Sequence, residues 1–139
     1  NYEEIYNFYD LKIGRCRLSV AKIKDKKKSF DNEGHIIVAT KYKNITTNYF
    51  AKRGVRAECI KLNGAIELAP KLKICSTIVD LVSTGKTLSE NNLEESHLVM
   101  QITSKLIINK IAYKLMNDDI TVILNKFKKV LNGKNFVSK

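Results

Sequence analysis

Between Arg15 and Ala21 the chain alternates polar and apolar residues with period two, and His35-Ile36-Ile37-Val38-Ala39-Thr40 is a short β-branched run. Both patterns predict strands. Asn44 to Arg53 brings Ile45, Tyr49 and Phe50 to one side of a helix, with Asn44 as N-cap and Gly54 as the stop. Alternation resumes from Val55 to Leu62, predicting a further strand. Ala65, Leu68, Ala69 and Leu72 have helical spacing, but Pro70 should kink or end that helix. Thr77 to Val82 reads as a strand covered on both faces, as in a parallel sheet. Ser96 to Thr103 predicts another strand. Asn117 is the expected cap of a helix with Asp118 and Asp119 in its first turn and an apolar stripe through Ile120, Ile123, Leu124, Phe127, Val130 and Leu131, which predicts a core-facing helix. Strands alternating with short helices make the expected class α/β.

Composition narrows the possibilities. A chain of 139 residues, 44% hydrophobic and 28% charged, with one proline, is long enough to bury about 70% of its unfolded surface and is neither collagen-like nor largely disordered. The longest apolar runs, such as Leu106-Ile107-Ile108, fall far short of the roughly 20 residues of a membrane span, so no membrane association is expected. Cys16, Cys59 and Cys75 are an odd number without CxxC spacing, and the N-terminus shows no targeting pattern, so a cytoplasmic protein is expected. The net charge of +11 invites a nucleic-acid reading, but 21 of the 25 basic residues are lysine and only four arginine. Arginine is the residue favoured for bidentate phosphate and base recognition, so no nucleic-acid partner is expected. The densest cluster, Lys22, Lys24, Lys26, Lys27 and Lys28, reads as a solvated loop between strands.

The sharpest chemical signal is Ile78-Val79-Asp80-Leu81-Val82-Ser83-Thr84-Gly85-Lys86-Thr87, a buried strand running into hydroxyl residues and a glycine at the start of a helix. Such a turn suits a phosphate: its backbone N–H groups point outward, Gly85 permits close approach, Ser83, Thr84 and Thr87 offer hydroxyls, and Lys86 offers a cation. Gly85-Lys86-Thr87 matches the end of a Walker A loop, but Asp80 stands where the first glycine would be, so that reading fails. An ordinary capped β-to-α turn remains the bland alternative. His35 and His97 have no partner at catalytic spacing and no Cys/His cluster has metal-ligand spacing, so neither a nucleophile nor a resident metal is assigned.

The acid at the strand end followed by Thr-Gly-x-Thr resembles the phosphoribosyl-diphosphate loop of phosphoribosyltransferases. The blocks Leu11 to Ala21, Val38 to Tyr42, Thr47 to Phe50, Leu62-Asn63-Gly64-Ala65-Ile66-Glu67-Leu68-Ala69-Pro70 and Ser89 to Glu95 resemble, in order and spacing, the ATP phosphoribosyltransferase family. The resemblance covers nearly the whole chain. It implies a glycosyltransferase acting at the first step of histidine biosynthesis, moving phosphoribosyl from phosphoribosyl diphosphate to N1 of the ATP adenine and releasing pyrophosphate, with Mg²⁺ arriving on the substrate's diphosphate. It assigns Asp80, Ser83, Thr84, Gly85, Lys86 and Thr87 to phosphoribosyl-diphosphate binding and leaves the catalytic residues unassigned; Glu67, in the Ala65-Ile66-Glu67-Leu68-Ala69 match, is a candidate for orienting substrate or a neighbouring loop, with a solvent-facing helix carboxylate as the equal alternative.

The implied fold has two α/β lobes like a type II periplasmic binding protein: residues 1–16 a remnant of the first lobe and hinge, 17–98 the second lobe, and 99–139 a return strand and C-terminal helix of the first. The family's N-terminal segment with its Lys-Gly-Arg phosphate contact has no counterpart here, and a fragment is expected. The absence of a regulatory domain after the last helix resembles the short form, implying a homo-oligomer and a separate regulatory subunit related to histidyl-tRNA synthetase. A non-catalytic ligand-binding or interaction module of the same fold is the alternative.

Overall fold

The computed structural model describes residues 4–24 and 34–133. Its elements are β1 (Ile5–Asp10), β2 (Cys16–Ile23), β3 (His35–Thr40), α1 (Lys43–Ala51), β4 (Arg56–Lys61), a 3₁₀ turn (Ile66–Leu68), β5 (Thr77–Val82), α2 (Lys86–Glu90), β6 (Leu93–Ile102), β7 (Lys105–Asn109), α3 (Lys110–Leu115) and α4 (Asn117–Gly133). They divide into two compact units, one from residues 16–102 and one from the two ends of the chain, 1–15 and 103–139.

The central unit is a five-stranded sheet in the order β4-β3-β5-β2-β6. β3 runs parallel to β4 and β5, while β2 is antiparallel to β5 and β6, so the sheet is mixed rather than the parallel one expected from the Thr77 to Val82 run. The expectation of burial on both faces holds nonetheless. Leu18, Val20, Val38 and Val79 pack under Phe50 and Tyr49 of α1 on one face; Ala21, Ala39, Ile78 and Val82 pack under Ile66, Leu88 and Leu93 on the other. Alternate residues of β2, β3 and β5 thus feed opposite cores, and a central strand needs both to be apolar whatever its direction.

Three local expectations change. The helix expected from Asn44 starts at Lys43, with Tyr42 rather than Asn44 at the cap; the first helical bond runs from Thr46 N–H to the Tyr42 carbonyl, and the Tyr42 N–H donates to Thr40 Oγ1 at 3.0 Å. Thr40 is fully buried, so the residue before the turn, not the first polar one after it, sets the start. The helix expected over Gly64 to Leu72 contracts to a 3₁₀ turn, entered through Ala65 at φ +52° and ended before the buried Pro70. The strand expected from Ser96 begins three residues earlier, at Leu93, because its partner β2 extends to Ile23. The lysine-rich loop reading falls largely outside the described residues; Lys22 itself lies in β2, 3.5 Å from Glu94.

The unit of the two ends contains a two-stranded antiparallel sheet, β1 with β7, that the alternation analysis did not anticipate. Tyr113 of α3 meets Tyr6 of β1 edge to face and Phe8 at a tilt, with ring centroids 5.6 and 5.2 Å apart, and Asn109 caps α3 by accepting the Ile111 and Ala112 N–H groups. In α4, Asn117 is the first helical residue rather than the expected cap, and its side chain accepts from Thr121 Oγ1 one turn on. Of the stripe expected to face a core, only Leu124 is buried; Ile123 and Val130 are 50% and 58% exposed.

Candidate functional site

β5 delivers the site. Its alternate residues Ile78, Asp80 and Val82 share the face of Ala21 and Ser19 on β2, with Ser19 directly opposite Asp80 and Arg17 opposite Val82. Past Val82 the chain turns through Ser83, Thr84 and Gly85 into α2. Gly85 adopts φ +82°, a conformation open to glycine and costly for a side-chain-bearing residue. α2 is only five residues long, so the helix dipole adds little, and the loop's own amides and hydroxyls must bind any anion.

A depression of about 260 Å³ opens at this turn, and Asp80, Ser83, Thr84, Gly85, Thr87 and Glu67 line it. The sequence-predicted residues therefore come together there with one exception. Lys86 points to Glu90, 3.8 Å away, and lines a second depression of about 490 Å³ together with Arg17, Lys24 and Glu95. Thr84 and Gly85 line both, so the loop is the wall between them.

Burial pushes the Asp80 carboxyl above its ordinary value; its acceptance of the Leu81 N–H at 2.8 Å works against this, the charge of Glu67 adds to it, and that of Lys41 opposes it. Desolvation, then the Asp80 charge, raises the Tyr42 phenol, which places the β3-to-α1 turn beside the same carboxylate. The site thus lies outside the carboxyl ends of two neighbouring parallel strands, β3 and β5, the usual location for ligands in α/β sheets. Among the described residues no three of His, Cys, Asp and Glu converge as a metal cage. The pocket's two carboxylates suit a cation that brings most of its oxygen ligands with it. Away from the pocket, His35 Nε2 sits 3.5 Å from Glu58. Burial raises the Cys75 thiol, the setting of an unreactive cysteine.

Sequence reasoning gave no role to the group behind the loop. Arg17 donates from Nε and NH2 to both oxygens of Glu95, at 2.7 and 2.6 Å, and from NH1 to the Ser83 carbonyl at 3.0 Å. Ser19, fully buried, donates to Glu95 Oε1 at 2.7 Å. The Arg17 hydrogen bonds hold the Glu95 carboxyl below its ordinary value against partial desolvation, and Ser19 assists. No signal in the sequence pairs residues 78 apart, and two breaks of register in β6, at Val99 and Ser96, bring Glu95 opposite Ala21.

A family model described as ATP phosphoribosyltransferase matches residues 1–129. ATP phosphoribosyltransferases of Paramagnetospirillum magneticum and Rhodospirillum rubrum are 48% and 49% identical over 135 and 136 residues, 96% of this chain but 62% and 60% of theirs. The chain therefore spans about 60% of the length of these relatives. Among solved structures, the ATP phosphoribosyl transferase (HisG:HisZ) complex from Thermotoga maritima superposes with a TM-score of 0.83 at 29% identity, over 93% of this chain and 63% of that one. An arginine-bound ArgBP mutant from T. maritima superposes over 94% of this chain and 60% of that one with a TM-score of 0.57 at 13% identity, a likeness of fold alone.

Proposed function

Because the chain belongs to the ATP phosphoribosyltransferase family, we propose that it supplies the phosphoribosyl-diphosphate site of an enzyme that transfers phosphoribosyl to N1 of the ATP adenine, releasing pyrophosphate, in histidine biosynthesis. The observation that carries the proposal is the convergence of Asp80, Glu67 and the 83–87 loop on one depression. The loop holds the 5′-phosphate through its amides and the Ser83, Thr84 and Thr87 hydroxyls, and Asp80 faces the ribose hydroxyls, to which a carboxylate is an acceptor. Glu67, which lines the same depression, orients the sugar or the cation that travels with it. Asp80 and Glu67 would face a Mg²⁺ ion carried in on the diphosphate, which when bound would supply charge neutralisation to the leaving group. The protein's part in such a reaction is orientation and electrostatics: the N1–C1′ bond forms as the C1′–O bond to the diphosphate breaks, and pyrophosphate leaves with the electron pair. The names of the relatives support the reaction. The Thermotoga complex supports a HisZ-like regulatory partner and an oligomeric assembly. A cytoplasmic setting accords with biosynthesis from nucleotides, and among the described residues no helix is long and apolar enough to cross a membrane.

The test is thermal stability of this chain titrated with phosphoribosyl diphosphate and Mg²⁺, beside Gly85→Val and Asp80→Asn. A ligand that binds only the folded state adds about 2.7 kcal/mol of stability at a hundredfold excess over Kd. A rise in Tm that Gly85→Val abolishes and Asp80→Asn reduces is the expected result. No rise for the unsubstituted chain up to millimolar ligand overturns the proposal for this portion of the enzyme.

A further inference from the structure

Arg17 occupies the side of the loop away from Asp80, in the depression it shares with Lys24 and Glu95. All three sides of its guanidinium are used: Nε and NH2 on Glu95, NH1 on the Ser83 carbonyl. Glu95 is itself fixed by the buried Ser19 hydroxyl. It comes within reach of Arg17 through two breaks of register: Leu18 pairs with Met100 but Ser19 with Leu98, and Val20 pairs with His97 but Ala21 with Glu95, which leaves Val99 and Ser96 as extra residues, the Ser96 hydroxyl donating to the Val20 carbonyl. A regular register continued from the Cys16–Ile102 pair would place His97 opposite Ala21 and carry Glu95 two residues further from Arg17, opposite Ile23. The strand irregularity, the buried serine and the ion pair converge on one carbonyl oxygen.

From this geometry we infer that Arg17 is a positioning residue for the 83–87 loop, acting through the Ser83–Thr84 peptide. The described peptide bonds are all trans, so the C=O of Ser83 and the N–H of Thr84 point in opposite directions. Holding the carbonyl on the Arg17 side aims the Thr84 N–H to the Asp80 side, where an anion would sit, and does so before any ligand arrives. Lysine cannot substitute: its ammonium lacks the planar fork that serves a carboxylate and a carbonyl together. The inference rests on the phosphoribosyl reading for the identity of the anion, but not for the peptide orientation.

Two measurements on Arg17→Lys, Arg17→Ala and Glu95→Gln separate these parts, with the urea midpoint recording global stability. In the first, ¹⁵N relaxation without ligand reads order at the Thr84 and Gly85 amides. Order parameters that fall from near 0.85 to about 0.6 or lower in Arg17→Lys, with the strands unchanged, are expected. Unchanged order parameters and amide shifts overturn the inference whatever the affinity does. In the second, calorimetric titration with phosphoribosyl diphosphate and Mg²⁺ should show Arg17→Lys and Arg17→Ala binding about ten- to a hundredfold more weakly, as expected for loss of one or two charge-assisted hydrogen bonds. Millimolar methylguanidinium should restore part of the loss in Arg17→Ala. Wild-type affinity in Arg17→Lys, or a loss that follows the urea midpoint and is not restored, also overturns it. A wild-type chain that does not bind rejects the phosphoribosyl reading, and the relaxation measurement still decides the role of Arg17.

Discussion

A β-carbon added at Gly85 would meet nothing closer than Val82 Cγ1 at 4.0 Å, so the obstacle to a side chain there is the backbone angle and not space. Gly85→Ala should therefore cost about 1–2 kcal/mol in urea unfolding, the penalty of a left-handed conformation, without a packing defect. The carboxylates on the two sides of the loop make a second, paired prediction. Asp80 has its folded-state value raised by burial above 3.8, so its contribution to stability is full below that pH and is lost as pH rises through the raised value. Asp80→Asn should then have a higher Tm than the wild type at pH 7, with the gap closing below pH 3.8. Glu95 has its value lowered below 4.5 by Arg17, so its contribution is present above that pH and disappears as pH falls through the lowered value. Glu95→Gln should have a lower Tm at pH 7, with the gap closing in acid. Tm profiles from pH 3 to pH 8 check both, and profiles of the same sign would contradict the environments described for the pair.

Turns and bulges, rather than strands, determine where the side chains of the site arrive. His35–Thr40 and Thr77–Val82 are legible because β-branched and apolar residues report burial directly, and the loop glycine is legible because few other residues tolerate its conformation. β1 and β7 were not, because Ile-Tyr-Asn-Phe-Tyr-Asp lacks clean alternation and the partner strand lies about a hundred residues away. The breaks of register at Val99 and Ser96 are invisible for a related reason: register is a property of two strands, and they carried Glu95 and hence Arg17 out of reach of a one-dimensional reading. The β3-to-α1 turn gives a prediction at this scale. Thr40 Oγ1 accepts both the Tyr42 N–H and, at 3.4 Å, the Thr46 hydroxyl in a fully buried setting. Thr40→Val removes the acceptor of both and should cost about 1–3 kcal/mol in urea unfolding. Thr46→Val removes only the long, weaker bond and leaves Tyr42 satisfied, so it should cost less; the reverse order would mean that Thr40 does not organise the turn.

Across the chain, burial is very unequal. In the 16–102 unit, β2, β3 and β5 hold Leu18, Val20, Val38, Ile78 and Val79 at 1% exposure or less, under helices on both faces. In the other unit, Ile111 and Leu115 of α3 are 66% and 79% exposed, and Leu124 is the one buried residue of α4 among the described positions. Helix propensity alone leaves a 17-residue helix marginal in water, since most helical stability in proteins comes from packing an apolar face. Amide hydrogen exchange should accordingly separate the two: β2, β3 and β5 exchange only through global unfolding, while α3 and α4 exchange through local opening at much lower free energy. The exposed stripe of α4 also makes the result depend on what else can cover it. At low micromolar concentration α4 should exchange fast, and protection that rises with protein concentration would show copies of the chain burying the stripe against one another. Protection equal to that of β5 at every concentration would mean that the helix is held by contacts within the chain that its described packing does not contain, and would overturn this division of stability.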